Sequence, residues 1–202
     1  MPSIDELKQN LWETAPSTLR VEIRRPRQIP EGDDSLEFHA ARLLLLLYYS
    51  KGRIKKIEGR TKLAKLDFLI RYPTYLAEAA RIKQVESDIK ATVRPESRMI
   101  RYKFGPWDDK YYNIFAYIVA KGFIEIEPTK SKGDIFYLTK KGSFAAEELN
   151  SPEFQDIKER CILAHKLFGD VSGNTVKDFI YRYFTEVAEK PLGAEIEEND
   201  AV

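Results

Sequence analysis

The sequence predicts a mainly α-helical protein with a small β-hairpin: a winged-helix-like core followed by additional C-terminal helices. Two observations carry this prediction. The strings FIEIE and IFYLT alternate apolar with polar residues, and the turn-rich string PTKSKGD joins them as a hairpin. A helical segment that ends at Gly122 directly precedes the hairpin. Helix, glycine and hairpin in this order are typical of winged-helix proteins.

The first core helix is predicted over residues 36–49, after the N-cap Ser35. This segment is apolar on nearly every face, which indicates a central helix surrounded by other elements. The break Ser50-Lys51-Gly52 ends it. The longest apolar run, residues 43–49, is far too short to cross a bilayer, and the N-terminal segment lacks a secretory signal, so no membrane association is expected.

The remaining elements follow from apolar spacing and from start and stop residues. Thr61 caps a helix that Pro73 ends or bends. Residues 98–103 predict a strand or an extended approach to the turn Gly105-Pro106. The further helices are predicted at about residues 75–90, 110–121, 144–149, 153–168 and 175–188.

The chain is predicted to have four parts. Residues 1–34 form a polar arm in which Leu19, Val21 and Ile23 alternate with charged residues, so the arm is either flexible or ordered on a partner as an added strand. Residues 35–150 form the winged-helix-like core, and residues 151–190 form a C-terminal helical extension. Residues 191–202 are acidic and have few large apolar side chains, which predicts a disordered tail.

Overall charge excludes a general preference for polyanions. The 202 residues include 33 basic and 32 acidic side chains, a net charge of +1. Residues 151–202 hold 6 basic and 11 acidic residues, which leaves 27 and 21 for residues 1–150, so any electrostatic partner must meet a local patch. Cys161 is the only cysteine, which excludes an internal disulfide or a thiolate cluster and favours the reducing cytoplasm.

The string KGRIKKIEGRTKLAK contains seven basic residues and only one acid, Glu58, and is expected to form an exposed cationic connector. It is consistent with contact to DNA phosphates, with docking of an acidic protein, or with a solvated loop. Three basic residues after position 97 extend the patch if their strand lies beside it. The candidate patch comprises Lys51, Arg53, Lys55, Lys56, Arg60, Lys62, Lys65, Arg98, Arg101 and Lys103.

In a DNA-binding winged helix, residues 110–121 would be the recognition helix, and Lys130 and Lys132 at the hairpin tip would straddle the backbone. The helix carries few basic residues, however. Asp108 and Asp109 at its start would repel phosphates. Direct reading of the major groove by this helix is therefore not the favoured interpretation.

Four aromatic residues around the GPWDDKYY turn are candidate interface anchors if they are exposed, because large rigid rings bury much area at low entropic cost. Core packing is expected for at least half of them. The four are Phe104, Trp107, Tyr111 and Tyr112.

The sequence predicts no catalytic residue, no metal site and no cofactor. His39 and His165 are the only histidines, and each lies in an apolar helix without metal ligands at suitable spacing. No phosphate-binding glycine motif, nucleophile elbow or HExxH sequence is present. Asp108-Asp109 can be imagined as a pair of catalytic acids, but capping of the following helix is the favoured interpretation.

Three strings together resemble one protein family: RTKLAKLDFLIRYP, RMIRYKFGPWDDKYYNIFAYIVAKGFI and FYLTKKG. They are similar to the middle components of bacterial three-component ABC-ATPase defence systems of the Lamassu type. The resemblance covers about residues 36–145, and KLDFLIRYP and KFGPWDDKYY are its most specific parts. FYLTKKG is less specific, since many winged-helix regulators leave the hairpin in a similar way.

The resemblance implies a small subunit that accompanies an ATPase of the structural-maintenance-of-chromosomes (SMC) type and a nuclease effector. The expected function is that of a non-catalytic accessory subunit that bridges the two and contacts double-stranded DNA or leaves DNA contact to its partners. The alternative is a winged-helix transcriptional regulator that binds DNA as a free dimer. An enzyme is the least favoured class, because no residue set supports a reaction.

Overall fold

The five leucines at positions 43–47 lie in the middle of the fold. A computed structural model of the chain describes residues 35–89, 98–130, 133–149 and 151–197. In it, Leu36–Tyr48 forms helix α1, and the Ser35 side chain accepts a hydrogen bond from the Phe38 amide, as predicted for its N-cap. All five leucines are at most 3% exposed. The apolar faces of α1 pack against four later elements, which makes it the central helix.

Eight α-helices and six strands are present in the described residues. They belong to one compact unit, Glu31–Val202. The helices after α1 are α2 (Arg60–Arg71), α3 (Pro73–Ile82), α4 (Tyr111–Ala120), α5 (Lys140–Glu148), α6 (Gln155–Phe168), α7 (Gly173–Tyr183) and α8 (Thr185–Glu189). The strands are β1 (Lys56–Glu58), β2 (Met99–Tyr102), β3 (Gly105–Trp107), β4 (Ile124–Thr129), β5 (Gly133–Leu138) and β6 (Glu195–Ile196).

The core of the chain is a winged helix. The predicted hairpin is formed by β4 and β5, which pair from Ile124 opposite Leu138 to Thr129 opposite Gly133. Strand β1 adds to β5 in an antiparallel sense, which gives the sheet order β1-β5-β4. This order, with α1, α2 and α4 as the three core helices, is the winged-helix topology. Helix α3 and the β2-β3 hairpin are inserted between α2 and α4.

The expected mainly α-helical class with additional C-terminal helices is thus observed. Helix α6 packs against α1, α2 and α3, and α7 packs against α2, so the C-terminal helices enlarge the core. Two predicted helices differ in length. The third helix ends at Ile82 because Gln84 adopts a positive φ of 54° and the Val85 amide donates back to the Ala80 carbonyl. Such a stop usually carries glycine, so the sequence did not reveal it.

The helix predicted over residues 175–188 is interrupted at Phe184. This residue is 2% exposed, and its ring lies 4.7 Å from the ring of Tyr75. Burial of the aromatic side chain against α3 requires the backbone to leave helical geometry, so two shorter helices replace one.

The prediction of a disordered tail from residue 191 is wrong for its first part. Glu195–Ile196 forms β6, which pairs with β2 at Met99. Ile196 is fully buried, and its carbonyl accepts a hydrogen bond of 2.8 Å from the Tyr72 hydroxyl. One apolar side chain between two glutamates is sufficient to hold the segment because β2 offers it a free edge. Residues 198–202 and the predicted arm, residues 1–34, lie outside the described residues.

Gly142 joins the hairpin to the helix that follows. Its amide donates 2.9 Å to the Thr139 side chain, which caps α5. A methyl group at this position would overlap the Phe123 carbonyl oxygen and lie 2.8 Å from Cδ1 of Leu138. The glycine in the KKG string therefore permits close contact between helix and sheet.

We expect Gly142→Ala to lower the free energy of unfolding by about 1–3 kcal/mol, because the backbone carbonyl that it meets cannot rotate away as a side chain would. Urea denaturation followed by circular dichroism measures the change. Gly193→Ala is the control: its Cβ would meet no atom within 4 Å, although a positive φ of 86° adds some strain there. Equal losses in the two variants would mean that backbone strain rather than overlap determines the effect.

Candidate partner-binding surface

Four charged side chains form a buried ion cluster beneath the turn that leads into α4. The cluster consists of Arg42 on α1, Asp67 and Arg71 on α2, and Asp108 at the end of the β2-β3 hairpin. The first three are fully buried, and Asp108 is 7% exposed. Charged groups are rarely buried in this way unless each has an opposite charge beside it.

Asp67 is the centre of the cluster. Its carboxylate accepts hydrogen bonds from Nε of Arg42 at 2.7 Å, from Nε of Arg71 at 2.9 Å, and from the Tyr111 hydroxyl at 2.7 Å. Burial acts to raise the pKa of this carboxyl group. The guanidinium groups of Arg42 and Arg71 outweigh burial and hold the pKa of Asp67 well below its ordinary value of 3.8. The group is therefore charged at neutral pH.

Asp108 connects the cluster to the turn. One of its oxygens lies 2.5 Å from Nη1 of Arg71, and the other accepts a hydrogen bond of 2.8 Å from the Lys110 amide. The second bond is the helix-start contact that the sequence predicted for this aspartate. The two strings that carry the family resemblance most specifically, KLDFLIRYP and KFGPWDDKYY, thus meet in one set of ion pairs. These pairs join structural elements and offer no free charge to a substrate.

Above the ion cluster, three aromatic rings are exposed on the surface. We call Tyr102, Phe104 and Tyr112 the aromatic surface; they are 46%, 50% and 61% exposed. The ring of Trp107 lies beneath them, with its centroid 6.0 Å from that of Tyr102 and 6.1 Å from that of Tyr112. Such a group of neighbouring exposed rings on a soluble domain marks an interaction site.

Two of the four predicted anchors are therefore exposed and two belong to the core. Trp107 is 9% exposed, and Tyr111 is fully buried with its hydroxyl bonded to Asp67. The expectation that at least half of these rings are core residues is confirmed. Tyr102 was missed, because the sequence analysis assigned its strand to the basic patch through Arg101 and Lys103.

Cations lie at the border of the aromatic surface. The Lys103 ammonium is 5.4 Å from the centroid of the Phe104 ring, and the Arg60 guanidinium is 6.0 Å from that of Tyr112. Arg60 also forms an ion pair with Asp134. A partner with both apolar and acidic groups would match this border.

The exposed face of α4 is neutral. Its sequence, YYNIFAYIVA, contains no arginine or lysine, and its outward residues include Tyr112, Asn113 and Val119. On the adjacent hairpin, Glu125 and Glu127 are exposed. Lys130 is exposed at the hairpin tip, and Lys132 lies outside the described residues. The helix that would read DNA bases thus presents aromatic and small residues beside acidic ones.

Most of the predicted basic patch is exposed or half-buried and already paired. Lys51 forms an ion pair with Asp170, and Lys56 lies 2.8 Å from Glu58. Lys55 and Lys62 donate to backbone carbonyls, at Ser50 and Gly169 respectively, each at 2.8 Å or less. On the second sheet, Arg98 lies 2.8 Å from Glu195. Arg53 is exposed. Pairing with carboxylates leaves the patch much less cationic than the sequence indicates.

Lys65 does not belong to the exposed patch, contrary to prediction. It is 1% exposed, on the same helix as Asp67, and a Cβ at Gly105 would lie 2.9 Å from its Cε. Burial lowers its pKa from 10.5 to about 8. Arg101 is half-buried, with its guanidinium 5.6 Å from the Tyr181 ring. Both residues fill space between elements.

Both histidines are buried. Nδ1 of His39 lies 2.8 Å from Nη2 of Arg42, and Nε2 of His165 lies 2.7 Å from the Leu46 carbonyl. Within the part of the chain that the structure describes, no three His, Cys, Asp or Glu side chains are arranged to hold a metal ion. None of the described helices is both long enough and apolar enough to cross a membrane.

The chain was compared with protein-family models, with curated proteins and with solved structures, and none of the three comparisons gave a match.

Proposed function

We propose that this chain is a non-catalytic accessory subunit of a cytoplasmic antiviral defence complex, in which it bridges an SMC-like ATPase to a nuclease effector. The aromatic surface is the observation that carries the proposal. It occupies the start of α4, the helix with which DNA-binding winged helices read bases. The resemblance of KLDFLIRYP and KFGPWDDKYY to Lamassu-type middle components supplies the identity of the partners.

The composition of this surface favours a protein partner over duplex DNA. Interface hot spots are enriched in tyrosine and tryptophan and in arginine, and Tyr112 beside Arg60 has this composition. Phosphate contact, in contrast, needs unpaired cations, and Glu125, Glu127 and Asp109 add negative charge on the same side of the winged helix. In this proposal, DNA contact by the complex depends mainly on the ATPase and the effector.

The experiment is capture of the two partners by the purified chain. We expect the double substitution Phe104→Ala and Tyr112→Ala to weaken binding of one partner by at least about 30-fold, the effect of losing one hot spot of about 2 kcal/mol. The thermal midpoint should hardly change, since both side chains are at least half exposed. Surface plasmon resonance with the separately purified ATPase and effector measures the affinities.

Phe144→Ala is the matched control, because Phe144 is a 65% exposed aromatic residue on α5 outside the aromatic surface. It should bind both partners with unchanged affinity. If the double variant binds the ATPase and the effector as tightly as the wild type does, the proposal fails.

The second candidate is the winged-helix transcriptional regulator. The exposed Arg53 and Lys130 favour it, because they are basic side chains on the connector and at the hairpin tip. Such a regulator would be a dimer that shifts a specific duplex and loses affinity steeply with salt. In that case the wild-type chain alone binds DNA tightly, and Arg53→Gln weakens binding while the aromatic double variant does not.

A further inference from the structure

A second candidate site lies where the end of α1, strand β1 and the end of α6 come together. It is a cleft of about 190 Å³, far above the roughly 10–15 Å³ that one water molecule requires. Three lysines, Ser50 and His165 line it, together with two carboxylates. None of the residues of the aromatic surface lines this cleft, so the inference stands apart from the proposed function. The lysines are Lys51, Lys56 and Lys62.

Ser50 supplies the strongest indication of a ligand. Its side chain lines the cleft and the residue is 2% exposed, yet the hydroxyl has no hydrogen-bond partner among the described residues. A buried hydroxyl without a partner destabilises the fold unless something else binds it. The Ser50 carbonyl is already occupied by the Lys55 ammonium at 2.7 Å. The hydroxyl proton is thus a donor that the fold itself leaves unused.

The lysine amines provide positive charge at the same place. The Lys62 ammonium donates 2.8 Å to the Gly169 carbonyl, and burial lowers the pKa of Lys62. Lys51 and Lys56 are paired with Asp170 and Glu58, which also line the cleft. Three ammonium groups thus face two carboxylates. An anion has to compete with these carboxylates, and the exposed Lys51–Asp170 pair is the one that can separate at little cost.

His165 is placed to respond to an anion. Its Nε2 is 2.7 Å from the Leu46 carbonyl and therefore carries a proton, which leaves Nδ1 as the second ring nitrogen. A Cβ at Gly169 would lie 3.3 Å from this Nδ1, on the side where Gly169 lines the cleft. When the ring is protonated, Nδ1–H is a further donor. Neutral His165 can only accept there.

Burial, and then the surrounding lysines, keep the pKa of His165 below its ordinary value of 6.5. Its bond to the Leu46 carbonyl acts in the opposite direction, and Asp170 also interacts with the ring. Cys161 lies one turn earlier on α6 and is buried. A dianion in the cleft would add negative charge near the ring and so favour its protonated form. The ionisable groups that act on His165 from other elements are Lys51, Lys55, Lys62 and Asp170.

We propose that this cleft binds a phosphate group, with the Ser50 hydroxyl and the Lys51 and Lys62 ammonium groups as donors. Lysine is a common phosphate ligand as a point charge, and a hydroxyl donor adds direction to it. The phosphate can be free, part of a nucleotide, or part of a nucleic-acid backbone.

The test follows the two histidine side chains by proton–carbon NMR while inorganic phosphate is added at constant ionic strength with chloride. We expect the His165 resonances to shift in a saturable manner and its pKa to rise. His39, which is bonded to Arg42 in the ion cluster, should not respond. If phosphate leaves His165 unchanged, or shifts it no more than chloride does, the proposal is overturned.

Two substitutions make the test specific. We expect Ser50→Ala to weaken phosphate binding about tenfold and to leave the fold as stable or more stable, since an unpaired buried hydroxyl is removed. Lys62→Gln should weaken it by at least as much. Lys166→Gln, an exposed residue on α6 that does not line the cleft, is the control with the same change in charge. Equal affinity of Ser50→Ala and wild type, or equal losses for Lys62→Gln and Lys166→Gln, would disprove the assignment.

Two further titrations identify the source of the phosphate. If a nucleoside triphosphate displaces inorganic phosphate more effectively than a short duplex does, the ligand is a free nucleotide. If the duplex is more effective and its affinity falls with salt, the ligand is a backbone phosphate. Both results require the Ser50→Ala variant to lose the same affinity, and an unchanged variant would exclude the cleft as the place of binding.

Discussion

Asp67→Asn is expected to lower the free energy of unfolding by about 3–5 kcal/mol, the cost of breaking a buried ion pair by removing one partner. The amide keeps the shape of the side chain but removes the only negative charge that contacts both Arg42 and Arg71. Two guanidinium groups would then share the single carboxylate of Asp108. The amide nitrogen would also point a donor at one of the present donors, including the Tyr111 hydroxyl.

Chemical denaturation of the two proteins at pH 7 measures this loss. Asp109→Asn is the matched control: it makes the same change in charge one residue beyond Asp108, at an exposed position, and should change stability by less than about 0.5 kcal/mol. A loss below about 1 kcal/mol for Asp67→Asn would mean that the cluster is open to water and is not the centre of the core.

Ile196→Ala is expected to cost about 2–5 kcal/mol, the usual range for truncating a fully buried isoleucine. The side chain fills space beside β2 and above Tyr72, whose hydroxyl also donates 2.8 Å to the Ile196 carbonyl. The loss should appear as a lower denaturation midpoint with little change in slope, because the amount of surface exposed on unfolding is nearly the same.

Leu192→Ala is the comparison for this prediction. Leu192 lies four residues earlier, is 64% exposed, and should have almost no effect. A tail that is disordered from residue 191, as the composition predicts, requires both substitutions to be neutral. Equal and small effects would thus reject β6 as a part of the folded protein.

The sequence was sufficient to predict the main elements of the fold. Local signals were strong at Ser35, whose side chain caps α1, and at the strings around Gly122 and Gly133, where the hairpin begins and turns. These signals depend on neighbouring residues only, so they can be read without knowledge of distant contacts. The class and the winged-helix order follow from them.

The ion cluster could not be predicted in the same way, because its members come from positions 42, 67, 71 and 108. One signal was present: Arg42 stands next to a run of five leucines, and Asp67 and Arg71 are spaced four apart in an apolar helix. Charges at core positions indicate buried pairs, although the pairing itself requires tertiary contacts.

The candidate site shows the same limit. Of the aromatic residues around the turn, exposure separates Phe104 and Tyr112 from Tyr111 and Trp107, and no local pattern distinguishes them. The basic string looked like one patch because all its charges have one sign. Its partners, among them Asp134 and Asp170, lie about 70 residues or more further along the chain. Composition alone cannot include them.

The position of the ion cluster has a consequence for binding kinetics. Asp108 and Tyr111 are anchored in the core, and they alternate along the chain with Trp107 and Tyr112, which lie under and in the aromatic surface. The rings are therefore presented on a preorganised loop, and complex formation costs little ordering of the backbone. Association should proceed in a single step at the roughly 10⁵–10⁷ M⁻¹s⁻¹ of preformed protein surfaces. Substitutions in the rings should then change mainly the lifetime of the complex.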